Sequence, residues 1–190
     1  QRKYEKGKYD EYEMEAINRY MQGDYVNEDE MSGMTSFSTD GERVVYGGDG
    51  IMPDIFVARD TVGYNSYYNS LANRDYILEY AMTYSDMYRN KLSEFNSGEE
   101  LADHLFKQPL LVNLVSFADN KGIRPRPYYI EESRKMFERQ LVSYIVRNFK
   151  GEEEFYKIYQ QSDKLLQKAV QLIEKGLTSP AAVKAEQYKD

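Results

Sequence analysis

The stretch YYIEESRKMFERQLVSYIVRNF, Tyr128 to Phe149, decides the fold class. Its apolar residues Met136, Phe137, Leu141, Tyr144 and Ile145 recur at the three-and-four spacing of a helix, not at the alternation of a half-buried strand. Pro125 and Pro127 break the chain before it, and Gly151 separates it from the next helical segment. The spacing predicts the longest helix of the chain here.

The same pattern extends in both directions. Toward the C-terminus, Glu152 to Gln160 reads as a helix, and Asp163 caps a last one over Lys164 to Lys175 that stops at Gly176. The polar residues Thr178 to Asp190 are expected to form a flexible tail. Toward the N-terminus, Pro109 suits the first turn of a helix that runs to Lys121 and ends at Gly122. Ser97 and Glu100 form a capping box for a short helix through Leu105. Asp75 to Leu92 is a longer helix with Ile77, Leu78, Ala81, Met82 and Tyr84 toward a core, and Ser66 to Ala72 a shorter one. Near the start, Tyr9, Tyr12, Ala16, Ile17 and Tyr20 make a helical stripe within Lys8 to Met21, ended by Gly23. Asp24 to Gly33 reads as an acidic loop. The acidic pairs Glu131-Glu132 and Glu152-Glu153-Glu154 read as first-turn residues that complement the helix dipole.

One segment breaks the helical pattern. Thr35 to Thr39 is β-prone, Asp40-Gly41 is a hairpin turn pair, and Arg43 to Tyr46 suits the returning strand. Gly47, Gly48, Asp49 and Gly50 come next, then Ile51 to Asp54. Ile55 to Ala58 has the apolar run of a strand buried on both faces. Such a strand needs neighbours that the rest of the chain does not offer, so the remainder of its sheet is expected outside this sequence. The fold class is therefore mainly α with a small β element, a hairpin plus strand from Thr35 to Ala58.

Composition restricts function. Of the 190 residues 41% are apolar and 30% charged, as in a folded domain. The net charge of −7 argues against a general nucleic-acid binder and gains nothing at an anionic membrane. Without cysteine there is no disulfide, thiolate metal site or cysteine nucleophile. No apolar run approaches the roughly 18 residues of a membrane span, and no signal peptide is visible. The chain opens Gln1-Arg2-Lys3 without an initiator Met, so natural sequence is expected upstream. The 19 tyrosines fall mostly at helical spacing and read as amphipathic packing residues.

No catalytic set assembles from these residues. The single histidine, His104, lies on the helix of Leu101 and Leu105 and reads as a structural side chain rather than a base or ligand. Asp24 to Glu30 lacks calcium-loop spacing. No serine sits in a strand-to-helix elbow with a base at hand. No metal or cofactor is expected. The glycine cluster could cradle a phosphate, but Pro53 and a β-prone run come after it instead of a helix, and Asp49 would repel phosphate. From the residues alone, a tight strand connection is the better reading.

The run Gly41-Glu42-Arg43-Val44-Val45-Tyr46-Gly47-Gly48-Asp49-Gly50-Ile51-Met52-Pro53-Asp54-Ile55-Phe56-Val57 closely resembles the final core element of the carboxyl-terminal processing, or tail-specific, serine peptidases. The likeness is to the envelope-associated branch with a helical C-terminal extension. Asp49 departs from the usual third glycine. Asp60-Thr61, Gly63-Tyr64 and Tyr67-Tyr68 resemble the start of that extension, and the helix from Tyr9 to Tyr20 an acidic helical insert.

The resemblance implies a parent that cleaves protein C-termini with a Ser-Lys dyad, in the periplasm or cell envelope, behind a PDZ module. The dyad motifs lie upstream in that family and do not occur here, so no catalytic residue carries over. Gly47, Gly48, Gly50, Ile51, Pro53 and Asp54 carry over as the turn and strand that close the peptidase sheet. The implied organisation is residues 1–60 as the end of the core, 61–177 as a helical domain and 178–190 as tail. The implied partners are the upstream core, protein substrates of the parent and a second copy in a homodimer. The helical domain would serve architecture, through dimerisation or substrate access. The alternative is a free-standing helical interaction module without enzymatic activity.

Overall fold

The computed structural model describes residues 5–14, 35–40, 44–46, 55, 57, 62–177 and 179. The chain is mainly α with a small β element. It divides into two compact units, Gln1–Arg59 with Lys168–Asp190, and Asp60–Gln167.

In the first unit, residues 9–14 are helical (α1) and exposed except for half-buried Tyr12. β1 (Ser36–Ser38) pairs antiparallel with β2 (Val44–Tyr46), in the register Ser36 to Tyr46, Phe37 to Val45 and Ser38 to Val44. Asp40 lies in the turn. The expected strand Ile55 to Ala58 is corrected where it is described: Ile55 is a bend, Val57 lies outside regular structure, and both are half-buried. A ladder needs a partner strand, and among the described residues β1 and β2 pair only with each other. Phe56, Ala58, the expected loop Asp24 to Gly33 and the helix beyond Met14 lie outside the described residues.

The second unit is helical. Its order is α2 (Ser66–Ala72), α3 (Tyr76–Met87), α4 (Arg89–Ser93), α5 (Gly98–Phe106), α6 (Leu110–Asn120), α7 (Pro127–Glu132), α8 (Arg134–Lys150) and α9 (Glu152–Tyr159), then a 3-10 turn at Gln160–Ser162. α10 (Lys164–Glu174) runs out of it.

α8 is the central helix. It packs against α3, α5, α6, α7 and α9. Phe137, Leu141, Val142, Ile145 and Val146 are completely buried, so its apolar surface is wider than one stripe. Around them lie Tyr67, Leu71, Ile77, Leu92, Leu101, Leu105 and Leu114, each at most 2% exposed.

The local signals behave as their chemistry requires. Ser97 Oγ accepts from Glu100 N at 3.1 Å, and Glu100 Oε2 accepts from Asn96 N at 3.1 Å, one residue before the cap. Asp163 Oδ1 accepts from Leu165 N and Leu166 N, both at 3.0 Å. Gly122, Gly151 and Gly176 end their helices at φ values of +89°, +88° and +72°, where a side chain would be strained.

Two long helices are shorter than their periodicity suggests. Tyr128 to Phe149 is divided at Ser133 (φ −93°, ψ 1°), and Asp75 to Leu92 at Tyr88 (φ −110°, ψ 17°). Ser133 is drawn into bonds with the segment before α2. The Tyr88 ring lies on Tyr84 at 4.6 Å. Glu131 and Glu132 therefore close α7 instead of opening a helix, and Glu131 pairs with Arg134 at 2.7 Å. Glu152, Glu153 and Glu154 do occupy the first turn of α9.

Candidate functional site

The sequence-predicted motif residues Gly47, Gly48, Gly50, Ile51, Pro53 and Asp54 lie outside the described residues. His104 is half-buried in the last turn of α5, its ring 4.9 Å from that of Phe95. Burial, with Lys91 and Lys107 nearby, holds its pKa below the usual histidine value, which favours the neutral ring. Among the described residues no group of three or more His, Asp or Glu side chains is placed to hold a metal ion.

Ser85, Ser133 and Ser143 are the buried serines among the described residues. Their hydroxyls donate to Ala81 O at 2.8 Å, Gly63 O at 2.6 Å and Arg139 O at 2.7 Å. A serine nucleophile needs a base as its proton acceptor. These protons are committed to backbone carbonyls instead.

The most developed polar feature is an aromatic array shared by the segment before α2, α2 itself, α8 and α9. Its placement begins at Asn65. The Asn65 side-chain oxygen caps α2 by accepting from Tyr67 N at 3.1 Å and Tyr68 N at 3.0 Å. Its amide nitrogen lies 2.9 Å from Tyr129 O, 2.9 Å from Glu132 Oε2 and 2.7 Å from Ser133 Oγ. One side chain therefore starts α2 and ties it to the α7–α8 joint.

Tyr64 and Tyr68 are fixed by that anchor. Their rings meet edge to face at 5.5 Å, and Tyr68 lies 5.2 Å from Phe137 in the core. Tyr68 Oη donates to Gln140 Oε1 at 2.8 Å, and Gln140 Nε2 donates to Tyr144 Oη at 3.0 Å. From Tyr144 the array continues as a ring stack. Tyr144 and Phe155 are stacked at 5.8 Å, and Phe155 and Tyr159 at 5.1 Å. The Arg147 guanidinium covers Tyr144 and Phe155 at 5.3 Å each.

Burial pushes the Tyr68 hydroxyl well above the usual tyrosine range, followed by the nearby hydroxyls of Tyr159, Tyr64 and Tyr144, while Arg139 partly counters the rise. Tyr159 is raised for the same reasons, burial first and then Tyr144 and Tyr64, again countered by Arg139. These hydroxyls thus stay neutral hydrogen-bond donors at physiological pH. Such a set can recognise and stack, and it contains no nucleophile with a base.

In the sequence these tyrosines read only as packing residues. The signal that could have found the array is the four-residue spacing of Tyr64 with Tyr68, Gln140 with Tyr144, and Phe155 with Tyr159.

The model of a family of unknown function, DUF8443, matches residues 67–151, from Tyr67 in α2 to Gly151 after α8. That span is less than half of the 190 residues, and the name carries no activity. No curated protein and no solved structure matches the chain. The similarity therefore covers the helical core from α2 through α8, while Tyr64 and α9, which complete the array, fall outside it.

Proposed function

We propose that the chain is the C-terminal, non-catalytic region of a serine-type carboxyl-terminal processing protease of the periplasm or cell envelope, with the helical unit in an architectural role. The resemblance of residues 41–57 to the closing element of such a core supports the identity. The commitment of the three buried serine hydroxyls to backbone carbonyls carries the non-catalytic assignment of the helical unit. The active serine and lysine would come from sequence preceding Gln1.

Two preparations test this together. The chain alone, incubated with a serine-reactive probe and an unstructured tail peptide, should show neither labelling nor cleavage. The same chain joined to its natural upstream sequence should show both. Labelling of the chain alone, or an upstream sequence with no Ser-Lys core, overturns the proposal.

A second reading is a free-standing helical interaction module, favoured by the exposed rim of the aromatic array, where Tyr64 and Tyr159 are 50% and 43% exposed. The two readings differ in solution. A sheet fragment cut from its core leaves strand edges that pair with other copies, whereas a complete module is a stable monomer or closed oligomer.

A further inference from the structure

We propose that α10 is a membrane-surface anchor, lying along the headgroup layer of an anionic lipid bilayer. The inference rests on α10 alone and holds whether or not a peptidase core precedes the chain.

The residues of α10 are divided cleanly between two sides. At about 100° per residue, Leu165, Leu166, Ala169, Val170, Leu172 and Ile173 fill one unbroken arc of about 160°. Gln167, Gln171, Glu174 and the lysines Lys164, Lys168 and Lys175 fill the other side. No residue of the helix is buried, and Leu165 and Ile173 are 62% and 64% exposed.

The lysines do not serve the helix. Lys164 opens it, where the dipole favours an acid, and the first turn holds none. α9, by contrast, opens on Glu152, Glu153 and Glu154. Lys164 and Lys168 are like charges four residues apart, which repel on a helix. Lys175 continues the same ridge. Lys168 and Lys175 make no ion pair with the described residues. A short helix with no packing and an adverse charge pattern lacks the support that a helix of its length needs. Sequences depart from local rules of this kind where a partner supplies the compensation.

Charge and shape select the partner. The segment Lys164 to Lys175 carries three lysines and one glutamate, a net +2 in a chain of −7. The acidic total does not oppose docking, because charges beyond a Debye length of about 8–10 Å are screened and the local sign decides. An anionic surface is therefore the complement. In a helix pair only the residues beside the seam meet the partner, and the lysine ridge lies too far round from the centre of the apolar arc to do so. An interfacial helix sinks its apolar half about 5–10 Å into the bilayer and leaves its polar half among the headgroups. There all three lysines reach lipid phosphates, with their stems lying over apolar surface. The arc is also broader than a coiled-coil seam. No helix of the described residues is long and apolar enough to cross a membrane, so α10 lies on the bilayer.

The test is flotation of the full chain with vesicles of equal parts phosphatidylglycerol and phosphatidylcholine, against vesicles of phosphatidylcholine alone. The anionic vesicles should bind at least about tenfold more tightly. Lys168→Gln and Lys175→Gln should each lose about fivefold on them, and about 1 M salt should remove the preference. Val170→Gln with Ile173→Gln should lose about tenfold or more. Because α10 contributes no buried side chain, the unfolding midpoint of the helical unit should stay that of wild type. Should the double variant fray α10, the lysine variants still decide, since Gln and Lys have similar helix propensity. On anionic vesicles the amides of α10 should gain protection while those of α8 stay unchanged. The proposal is overturned by equal binding to both vesicles, by unchanged binding of the apolar double variant, or by no binding at about 5 mM anionic lipid. Self-association through α10 without vesicle binding also overturns it, and assigns the stripe to a second copy.

Discussion

Ser133 Oγ donates a hydrogen bond to Gly63 O at 2.6 Å across 70 residues of sequence. The bond joins the segment that leads into the helical unit to the joint between α7 and α8. Gly63 is suited to it. Its φ is +88°, and an added Cβ would stand 2.6 Å from Met136 Sδ. Ser133→Ala leaves the buried Gly63 carbonyl with only the Asn65 N–H at 3.1 Å and removes one acceptor of the Asn65 amide, and should destabilise the unit by about 0.5–1.5 kcal/mol. Gly63→Ala should cost about 1–2 kcal/mol, chiefly from the left-handed backbone, because Met136 is flexible enough to move. Urea midpoints measure both. A Ser133→Ala midpoint equal to wild type would remove the clasp from the account.

Phe137 and Leu141 are fully buried on the central helix, whereas Val112 on α6 is 63% exposed. Leu141→Ala should lower stability by about 2–5 kcal/mol and Phe137→Ala by about 3–5 kcal/mol. Val112→Ala should stay within about 0.5 kcal/mol. Thermal and urea unfolding distinguish them. A Leu141→Ala effect no larger than that of Val112→Ala contradicts the central position of α8.

The range of each interaction decides whether the sequence reveals it. Ser97 with Glu100, Asp163 with Leu166, and the stops at Gly122 and Gly151 are encoded within a few residues, so the local chain shows them. The break at Ser133 is not encoded locally. The helical spacing continues through it, and the bonds that occupy Ser133 come from Gly63 and Asn65, 70 and 68 residues away. The place of Glu131 and Glu132 at the end of α7 escapes a local reading for the same reason. The aromatic array shows the limit from the other side. Each i,i+4 pair is visible, but Tyr68 meets Gln140 across 72 residues. Convergence of that kind is a property of the packed unit.

Tyr80 is held by burial to a pKa of about 12, and Tyr68 is raised in the same direction. An unfolded tyrosine ionises near 10. Below about pH 10 both states are protonated and the full stability is present. Between about pH 10 and 12 the unfolded chain releases protons that the folded one retains, so stability falls as pH rises. Phenolate absorbance should therefore rise in two phases. The phase of the buried hydroxyls should come last, together with loss of helical circular dichroism. A single phase near pH 10 with helicity intact contradicts the burial of these hydroxyls.

Lys121 closes α6 onto α3. Its Nζ lies 2.5 and 2.7 Å from the Glu79 carboxylate oxygens, and 4.9 Å from the ring centres of both Tyr76 and Phe117. The site is partly exposed, so each contribution is modest. A double-mutant cycle of Lys121→Met with Glu79→Gln should give a coupling of about 0.5–1 kcal/mol. The ion-pair part should shrink in high salt, while the ring contact keeps Lys121→Met destabilising when Glu79 is already replaced. Zero coupling at low salt would show that the carboxylate contact contributes nothing in solution.

α10 has no buried residue, and Leu165, Leu166, Val170 and Ile173 are all exposed. Helices shorter than about 12–15 residues are marginal without packing, and this one has 11. Its order therefore leans on the Asp163 cap, whose Oδ1 accepts two backbone N–H groups at 3.0 Å. Asp163→Ala should remove about 1 kcal/mol from the helix. Amide exchange resolved by residue gives the readout. Wild-type α10 should exchange much faster than α8, and the substitution should speed α10 further while leaving α8 untouched. Protection of α10 equal to that of α8 would mean that its apolar stripe is covered in solution, and the exchange would then no longer depend on Asp163.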